Sequence, residues 1–306
     1  MIYEVENGKT KVIENQNSKT EGYYLGILSP EKAFESLSFF QIPPTLFEHV
    51  MKNPATRFEA RENIDVFCIP TIKITAPTLS DPEVVYFFLT KNSLLVVCTE
   101  TQNVQEIFQT TTSMDGSFFT SERLISNFFE DITHRDAEYL EKIEQEINIL
   151  EDQVLLNREH KDAIHKIIYF RKKISLLKRY YEQLLDIFDS LEENENNLLT
   201  ARALRSFKIL DGRIDRLYHS TLNLSDYVSQ IREAYQSEVD INLNQTMKIF
   251  TVLTAIFFPL TLIVGWYGMN LKMPEYNWAF GYPFVILISV VIIVACFLYF
   301  KKHKWF

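Results

Sequence analysis

Glycine is scarce in this chain, eight residues in 306, too few and too scattered to assemble a Gly-rich loop that cradles nucleotide phosphates. Cysteine is scarcer. Cys68, Cys98 and Cys296 lie far apart and form no Cys-x-x-Cys pair, which excludes a disulfide framework and a thiolate metal site and leaves three small buried hydrophobes. The histidines His49, His134, His160, His165, His219 and His303 form no HExxH or other i,i+4 ligand pair. His160 and His165 are five apart and fall on different faces of a helix, as solvated surface residues do. No nucleophile elbow is present, and no Ser, His and Asp set follows from spacing. These absences point away from an enzyme, and away from nucleotide or nucleic acid as a partner. An amino-terminal apolar segment is missing too: the first thirty residues are polar and carry IENQNSKTEG, so no secretory signal is expected and the amino-terminal bulk is assigned to the cytoplasm.

Charge is absent from two long stretches of a chain that is otherwise acidic, with a net charge of -9 and 47% hydrophobic residues. The first, IFTVLTAIFFPLTLIVGWYGMNL at 249–271, holds no Asp, Glu, Lys, Arg or His between Lys248 and Lys272. An α-helix needs about 20 mostly apolar residues to cross about 30 Å of hydrocarbon, so this run can span a bilayer. The second, within 276–300, contains YPFVILISVVIIVACFLYF. The connector LKMPEYNWAFG can only form a hairpin, which puts the amino-terminal bulk and the carboxyl terminus on one side. Lys301, Lys302 and Lys304 follow the second span at once and mark that side as cytoplasmic. The expected topology is a multi-pass protein of the inner or plasma membrane with both termini in the cytoplasm. Trp278, Tyr282, Tyr299 and Trp305 suit the interfacial belts, and KKHKWF suits a membrane-surface anchor.

The first span has a polar face. Asn244, Met247, Thr251, Thr254, Phe258, Thr261 and Gly265 recur at steps of three and four and share one helical stripe. Small and hydroxylated residues let membrane helices pack closely, and they also line water-filled pores; spacing alone leaves both readings open. The run ends in Tyr267-Gly268-Met269-Asn270. Gly268 permits close backbone approach, and Asn270 offers a neutral amide oxygen where the helix leaves the bilayer. Mg²⁺ dehydrates reluctantly, so neutral oxygens can hold its water shell, whereas carboxylates would bind too tightly to release it.

Upstream, residues 1–120 are expected to form a cytoplasmic α/β domain. A strand is predicted at Tyr23 to Leu28, helices from Pro30 through Phe39 and over Thr45 to Met51, and extended segments at Arg57 to Glu59, Asp65 to Ile74, Val84 to Thr90 and Ser93 to Cys98, the last two forming a hairpin. Pro54, Pro70, Pro77 and Pro82 punctuate the connections. Residues 121–246 form a long-helix stalk: Leu140, Ile143, Ile147, Leu150 and Val154 recur at helical spacing, then Ile164, Ile167, Ile174, Leu177, Tyr181, Leu184, Phe188 and Leu191, then Leu210 through Tyr235. Breaks fall near Asn157 and at Glu192 to Asn197. The third helix enters the first span without a stop signal, approaching seventy residues and roughly 100 Å at 1.5 Å per residue. A helix that long needs lateral support, so copies of the chain are expected to assemble. The acidic runs EQEINILED and ENEN are read as solvated helix faces, with cation sensing at a subunit interface as the alternative. Residues 247–306 form the membrane domain: first span about 247–268, external loop 269–280, second span about 281–300, basic tail 301–306.

YGMN at 267–270, MPE at 273–275, a short loop, a second span and a Lys-rich end resemble the carboxyl-terminal signature of the CorA family of magnesium transporters. KIEQEINILEDQVL at 142–155 is similar to that family's charged helix, and TRFEARENIDVFCIP with VVYFFLTKNSLLVV resembles its cytoplasmic sheet. The resemblance implies an α+β membrane protein: a cytoplasmic α/β domain and a coiled-coil-like helical stalk continuing into a two-helix transmembrane hairpin, assembled as a homopentamer. The first span of each copy would line a central pore. Gly268, Met269 and Asn270 carry over as the external ion-selecting ring, with hydrated Mg²⁺ held at Asn270. Asn244, Met247 and Phe250 carry over as the Asn ring and apolar constriction at the cytoplasmic mouth, with Phe258 and Thr261 above them. The implied cargo is Mg²⁺, with Co²⁺ as a related ion, and the implied regulator is cytoplasmic Mg²⁺ bound by acidic residues between subunits. Here the chain departs from its relatives: Ile214-Asp215-Arg216-Leu217-Tyr218-His219 shifts the acid by one position, leaving Asp211 and Asp215 as the sensor residues to consider. Two alternatives are a Zn²⁺ transporter of the same superfamily, whose triplet normally differs at the position of Met269, and a membrane-anchored coiled-coil scaffold without transport.

Overall fold

A computed structural model of the chain describes residues 1–6, 9–13, 22–53, 57–72, 83–113, 119–155, 160–270, 278 and 280–303. The described chain begins with a β-hairpin, β1 (Ile2–Glu6) and β2 (Lys9–Val12), then β3 (Tyr23–Leu28). Three short helices follow, α1 (Pro30–Glu35), α2 (Leu37–Phe40) and α3 (Pro44–Lys52), then β4 (Arg57–Arg61), β5 (Ile64–Thr71), β6 (Glu83–Thr90) and β7 (Ser93–Val97). The remainder is helical: α4 (Thr101–Ser113), α5 (Ser121–Thr133), α6 (Asp136–Leu155), α7 (His160–Glu193), α8 (Ala201–Tyr267) and α9 (Gly281–Lys302). These residues divide into two compact units, Met1–Gln153 with Glu159–Ile231, and Val154–Arg158 with Arg232–Phe306.

The strands form one seven-stranded sheet in the order β2-β1-β3-β7-β6-β5-β4. Among the described residues only β3 and β7 pair in parallel; the expected β6–β7 hairpin is antiparallel, with Leu89 opposite Leu94. The sequence of β5 to β7 is nearly continuous in apolar residues because helices cover both faces, so alternate side chains enter two different cores. On one face Val66, Cys68, Phe88, Leu95 and Val97 pack with Phe39, Phe40, Phe47 and Val50 of α2 and α3. On the other, Phe67 and Phe87 stack with centroids 4.8 Å apart, and Phe87 meets Phe128 of α5 edge to face at 5.1 Å. Gly26 in β3 is demanded by the first core: a Cβ there would lie 2.5 Å from Phe40 Cζ and 2.8 Å from Leu95 Cδ1.

Several expectations change on contact with the structure. β1, β2 and α4 are not expected from the sequence: the strands carry no strong period, and α4 has the helical spacing of Val104, Ile107 and Phe108 but few apolar residues to mark it; β1 gains its place through pairing with β3, Tyr3 opposite Leu25. Among the cysteines, Cys68 and Cys98 are buried but Cys296 is only half-buried. The ENEN run is not a solvated helix face but falls in the break expected at Glu192 to Asn197, the turn between α7 and α8, where Asn194 and Asn197 take left-handed φ values of 45° and 53°, a conformation Asn tolerates better than most side chains. Asn196 hooks this turn onto the β4–β5 hairpin, its Nδ2 donating to Asp65 Oδ1 at 2.7 Å and to Arg61 O at 2.7 Å. Asp65 is fully buried, and burial raises its pKa while the Asn196 bond opposes the rise. The MPE segment, residues 271–277 of the loop, and Lys304 and Trp305 of the tail lie outside the described residues.

Asp136 at the start of α6 is 4% exposed and accepts a 3.0 Å hydrogen bond from Tyr181 of α7. Burial pushes its carboxyl up to about 6, against the opposing influence of the Tyr181 bond and of His134. Because the folded pKa lies above the unfolded one, the folded state holds the extra proton between pH 4 and 6. Stability therefore falls as pH rises through that window and is level above it, by at most about 3 kcal/mol for a shift of this size. Thermal unfolding of wild type and Asp136→Asn should show the difference between them shrinking as pH is lowered from 7 to 4.5. Parallel pH profiles for the two proteins would contradict the assignment.

Candidate functional site

The carboxyl-terminal part of α8 and all of α9 are apolar without being buried. The most apolar eighteen-residue stretch of each helix is only 6% buried within the chain. A soluble protein does not leave such a surface in water, at a cost of about 25 cal/mol per Å², so these two helices belong in lipid or against other apolar helices.

Within this unit α8 has two contrasting flanks. Val252 is buried and Ala255, Ile256, Pro259 and Ile263 are half-buried; α9 lies on this side, with Cys296 Sγ 3.9 Å from the carbonyl oxygen of Ala255. That contact has a local cause. Pro259 has no N–H, so the Ala255 carbonyl one turn earlier loses its helical donor, and the weakly donating thiol of α9 faces it instead. The other flank carries the stripe predicted from spacing: Asn244, Met247, Thr251, Thr254, Phe258, Thr261 and Gly265 are all exposed. Thr251, Thr254 and Thr261 each donate their hydroxyl proton to the carbonyl four residues back, at 2.8, 2.8 and 2.9 Å. With the proton engaged, each hydroxyl turns outward only acceptor lone pairs, which suit the water shell of a cation. Met247 and Phe250 are 56% and 59% exposed.

Helix α8 ends at Tyr267, directly before the triplet. Gly268 N–H donates to Val264 O at 2.8 Å and Met269 N–H to Trp266 O at 3.3 Å, tightening the last turn. A Cβ on Gly268 would lie 2.8 Å from that same Val264 oxygen, so a larger residue would open the turn. Met269 and Asn270 are exposed at the helix end.

The acids assigned to sensing sit in the other unit. Asp211 is half-buried, and burial together with the like charges of Glu192, Asp189 and Asp215 raises its pKa. Asp215 is exposed and lies 3.5 Å from His219 Nε2. Among the described residues no group of three or more His, Cys, Asp or Glu side chains converges to hold a metal. Crowded carboxylates without a converged cage hold a cation only with help from a second surface. Spacing did not reveal the tie between α6 and α8: Tyr227 Oη lies 2.6 Å from Glu151 Oε2 and 2.7 Å from Asn148 Oδ1. A tyrosine on an amphipathic helix carries no signal of its partner until the helices are packed.

Residues 22–302 match the family described as CorA-like Mg2+ transporter protein. The Cobalt/magnesium transport protein CorA of Thermotoga maritima is 34% identical over 167 residues, covering 54% of this chain and 47% of that protein. The Magnesium transport protein CorA of Wolinella succinogenes is 26% identical over 310 residues, covering 96% of this chain and 94% of that one. The solved CorA magnesium transporter of Methanocaldococcus jannaschii superposes on the whole chain with a TM-score of 0.79 at 18% identity, covering 99% of its own length. An α/β domain, a 67-residue helix, two apolar carboxyl-terminal helices and a sequence match from residue 22 to 302 agree: the chain belongs to the CorA family.

Proposed function

We propose that this chain is a divalent cation transporter, conducting hydrated Mg²⁺ through a pore lined by α8 of each copy in a homopentamer. The observation that carries this reading is the exposed stripe of α8 from Asn244 to Gly265, set opposite the flank that packs on α9. An uncharged, oxygen-bearing stripe that α9 does not cover is suited to water and a hydrated ion. Asn270 with Gly268 and Met269 forms the outer ring that selects the ion by its water shell. Met247 and Phe250, next to Asn244, form apolar rings that close by dewetting. The membrane potential and the ion gradient drive the flux, without nucleotide hydrolysis. In this topology 1–120 is the cytoplasmic α/β domain, 121–246 the stalk and 247–306 the membrane domain, with both termini in the cytoplasm. Purified protein in liposomes with an inside-negative potential should take up Mg²⁺ in a saturable manner, with Co²⁺ competing. Absence of uptake from a correctly sized oligomer would favour the scaffold alternative, and preference for Zn²⁺ would overturn the role given to Met269.

Cytoplasmic Mg²⁺ is also the regulator in this reading. Asp211 lies among the like charges of Glu192, Asp189 and Asp215, which together with burial disfavour its ionisation, so a bound cation relieves repulsion and stabilises the closed packing of neighbouring copies. Millimolar Mg²⁺ should slow proteolysis of α6 to α8 severalfold, and Asp211→Asn with Asp215→Asn should remove most of that protection. Full protection in the double variant would place the sensor elsewhere.

A further inference from the structure

Helices α6 and α7 lie side by side and antiparallel, with Tyr181 opposite Asp136 and Lys166 Nζ donating to Gln153 Oε1 at 2.9 Å. Their charges are sharply segregated. α6 exposes Glu138, Glu141, Glu144, Glu146 and Asp152 against a single base, Lys142. α7 carries no acid between Asp162 and Glu182, and in that interval it exposes Arg171, Lys172 and Arg179 around Ile168, which is 44% exposed. Adjacent helices of opposite charge would be expected to neutralise one another, yet among the described residues no ion pair joins α6 to α7. The reason is geometric. Their seam is occupied by Lys173 over the Tyr139 ring at 4.9 Å and by the Lys166–Gln153 bond. Ile168, Lys172, Ser175 and Arg179 recur at three and four on the side of α7 opposite its buried residues Ile167, Phe170, Ile174 and Leu177. On α6 the outer row is Glu138, Gln145, Glu146, Ile149 and Asp152, with Ile149 58% exposed.

We infer that the basic row of α7 docks against the acidic outer row of α6 on a neighbouring copy of this chain. The two rows lie on separate helices and are complementary, so each copy can offer its basic row to one neighbour and its acidic row to the other, the head-to-tail contact that closes a cyclic ring. Each row also brings an exposed isoleucine, giving an apolar centre with a charged rim. A protein of net charge -9 has no need of an unpaired basic row for solubility, and the other charged surface it meets in an assembly is its own acid. The antiparallel register places Gln145 of α6 and Ser175 of α7 at nearly the same level along the hairpin, so rotation about an axis running along these helices brings the two rows together. This inference rests on the homopentamer reading above.

The test uses two differently tagged full-length chains co-expressed without the three native cysteines, one carrying Ser175→Cys and the other Gln145→Cys, neither of which alters a charge. Mild oxidation should yield a disulfide-linked product carrying both tags. Adding Arg171→Glu, Lys172→Glu and Arg179→Glu to the Ser175→Cys chain should reduce that product about tenfold, the scale of three exposed ion pairs acting together. Glu138→Lys with Glu146→Lys on the other chain should restore much of it. The native mass of the same sample separates the two claims. A pentamer with no two-tag product, or with only Ser175→Cys homodimers, overturns the docking while leaving the pentamer standing; a monomer overturns both. If Ser175→Cys is shielded from a soluble maleimide only in discs containing phosphatidylglycerol, and no two-tag product forms, lipid headgroups occupy the row and the inference fails.

Discussion

Replacing Asn270 with alanine should lower Mg²⁺ flux in liposomes by about tenfold or more, with the native mass unchanged. Tenfold corresponds to about 1.4 kcal/mol of lost stabilisation on the conduction path. The expected cause is specific. Mg²⁺ keeps its inner waters, so the proposed Asn270 ring would act on those waters through hydrogen-bond acceptors and not on the metal itself. Alanine removes the amide oxygen from every copy at once and leaves a ring of methyl groups that cannot accept. Gly268 and Met269 sharpen the test, because Gly268 tightens the last turn of α8 through its 2.8 Å bond to Val264 O. Gly268→Ala, whose Cβ would sit 2.8 Å from that oxygen, should therefore lower flux although no ion-facing oxygen is removed. Wild-type flux in Asn270→Ala would show that ions are selected somewhere other than the end of α8. Asn270→Asp is a useful contrast: the carboxylate should bind Mg²⁺ more tightly and slow its release, lowering the maximum rate together with the half-saturating concentration.

The second large effect is expected at the other end of the pore, where Met247→Ala with Phe250→Ala should raise conductance in high Mg²⁺ about tenfold. In the proposed mechanism high Mg²⁺ favours the closed state, so the variant should appear as a leak. An apolar constriction stops ions by excluding water, and shortening both side chains widens the ring until a continuous column of water is stable. Met247 and Phe250 are exposed on one chain and so are free to meet their counterparts across an axis. Planar bilayer recordings provide the measurement, and unchanged closed-state conductance in the double variant would remove these residues from the gate. The two variants are also separable: Asn270→Ala should lower flux in every state, whereas the Met247 and Phe250 changes should act mainly on the closed one.

Much of the architecture was legible in advance where one period dominates. The 3.6-residue recurrence from Leu140 onward marked α6, α7 and α8, and the breaks near Asn157 and at Glu192 to Asn197 agree with the described helix ends. The short apolar runs of β5 to β7 were legible because each is bounded by turn residues. β1, β2 and α4 were not: a five-residue strand such as IYEVE has a weak local pattern, and TQNVQEIFQTTTS, although Val104, Ile107 and Phe108 share a helical face, offers only those three apolar residues. ENEN was misread for a related reason: charge composition resembles a solvated helix face, while the left-handed asparagines and the Asn196 hook onto Asp65 exist only once the α7–α8 turn meets the β4–β5 hairpin.

Sequence by itself determined the family signature YGMN, the two charge-free spans and the threonine stripe, because covalent spacing along a single helix sets which residues share a face. Tertiary structure alone decided which flank of α8 is spent on α9, through the Ala255 carbonyl that Pro259 leaves without a donor and Cys296 approaches. It alone joined Tyr227 to Glu151 and crowded Asp211 among the acids of α7. The acidic row of α6 and the basic row of α7 were each written in the sequence. That they point away from their shared seam, and so leave both charges to be met by another surface, depends on how the two helices are rotated about their axes when they pack.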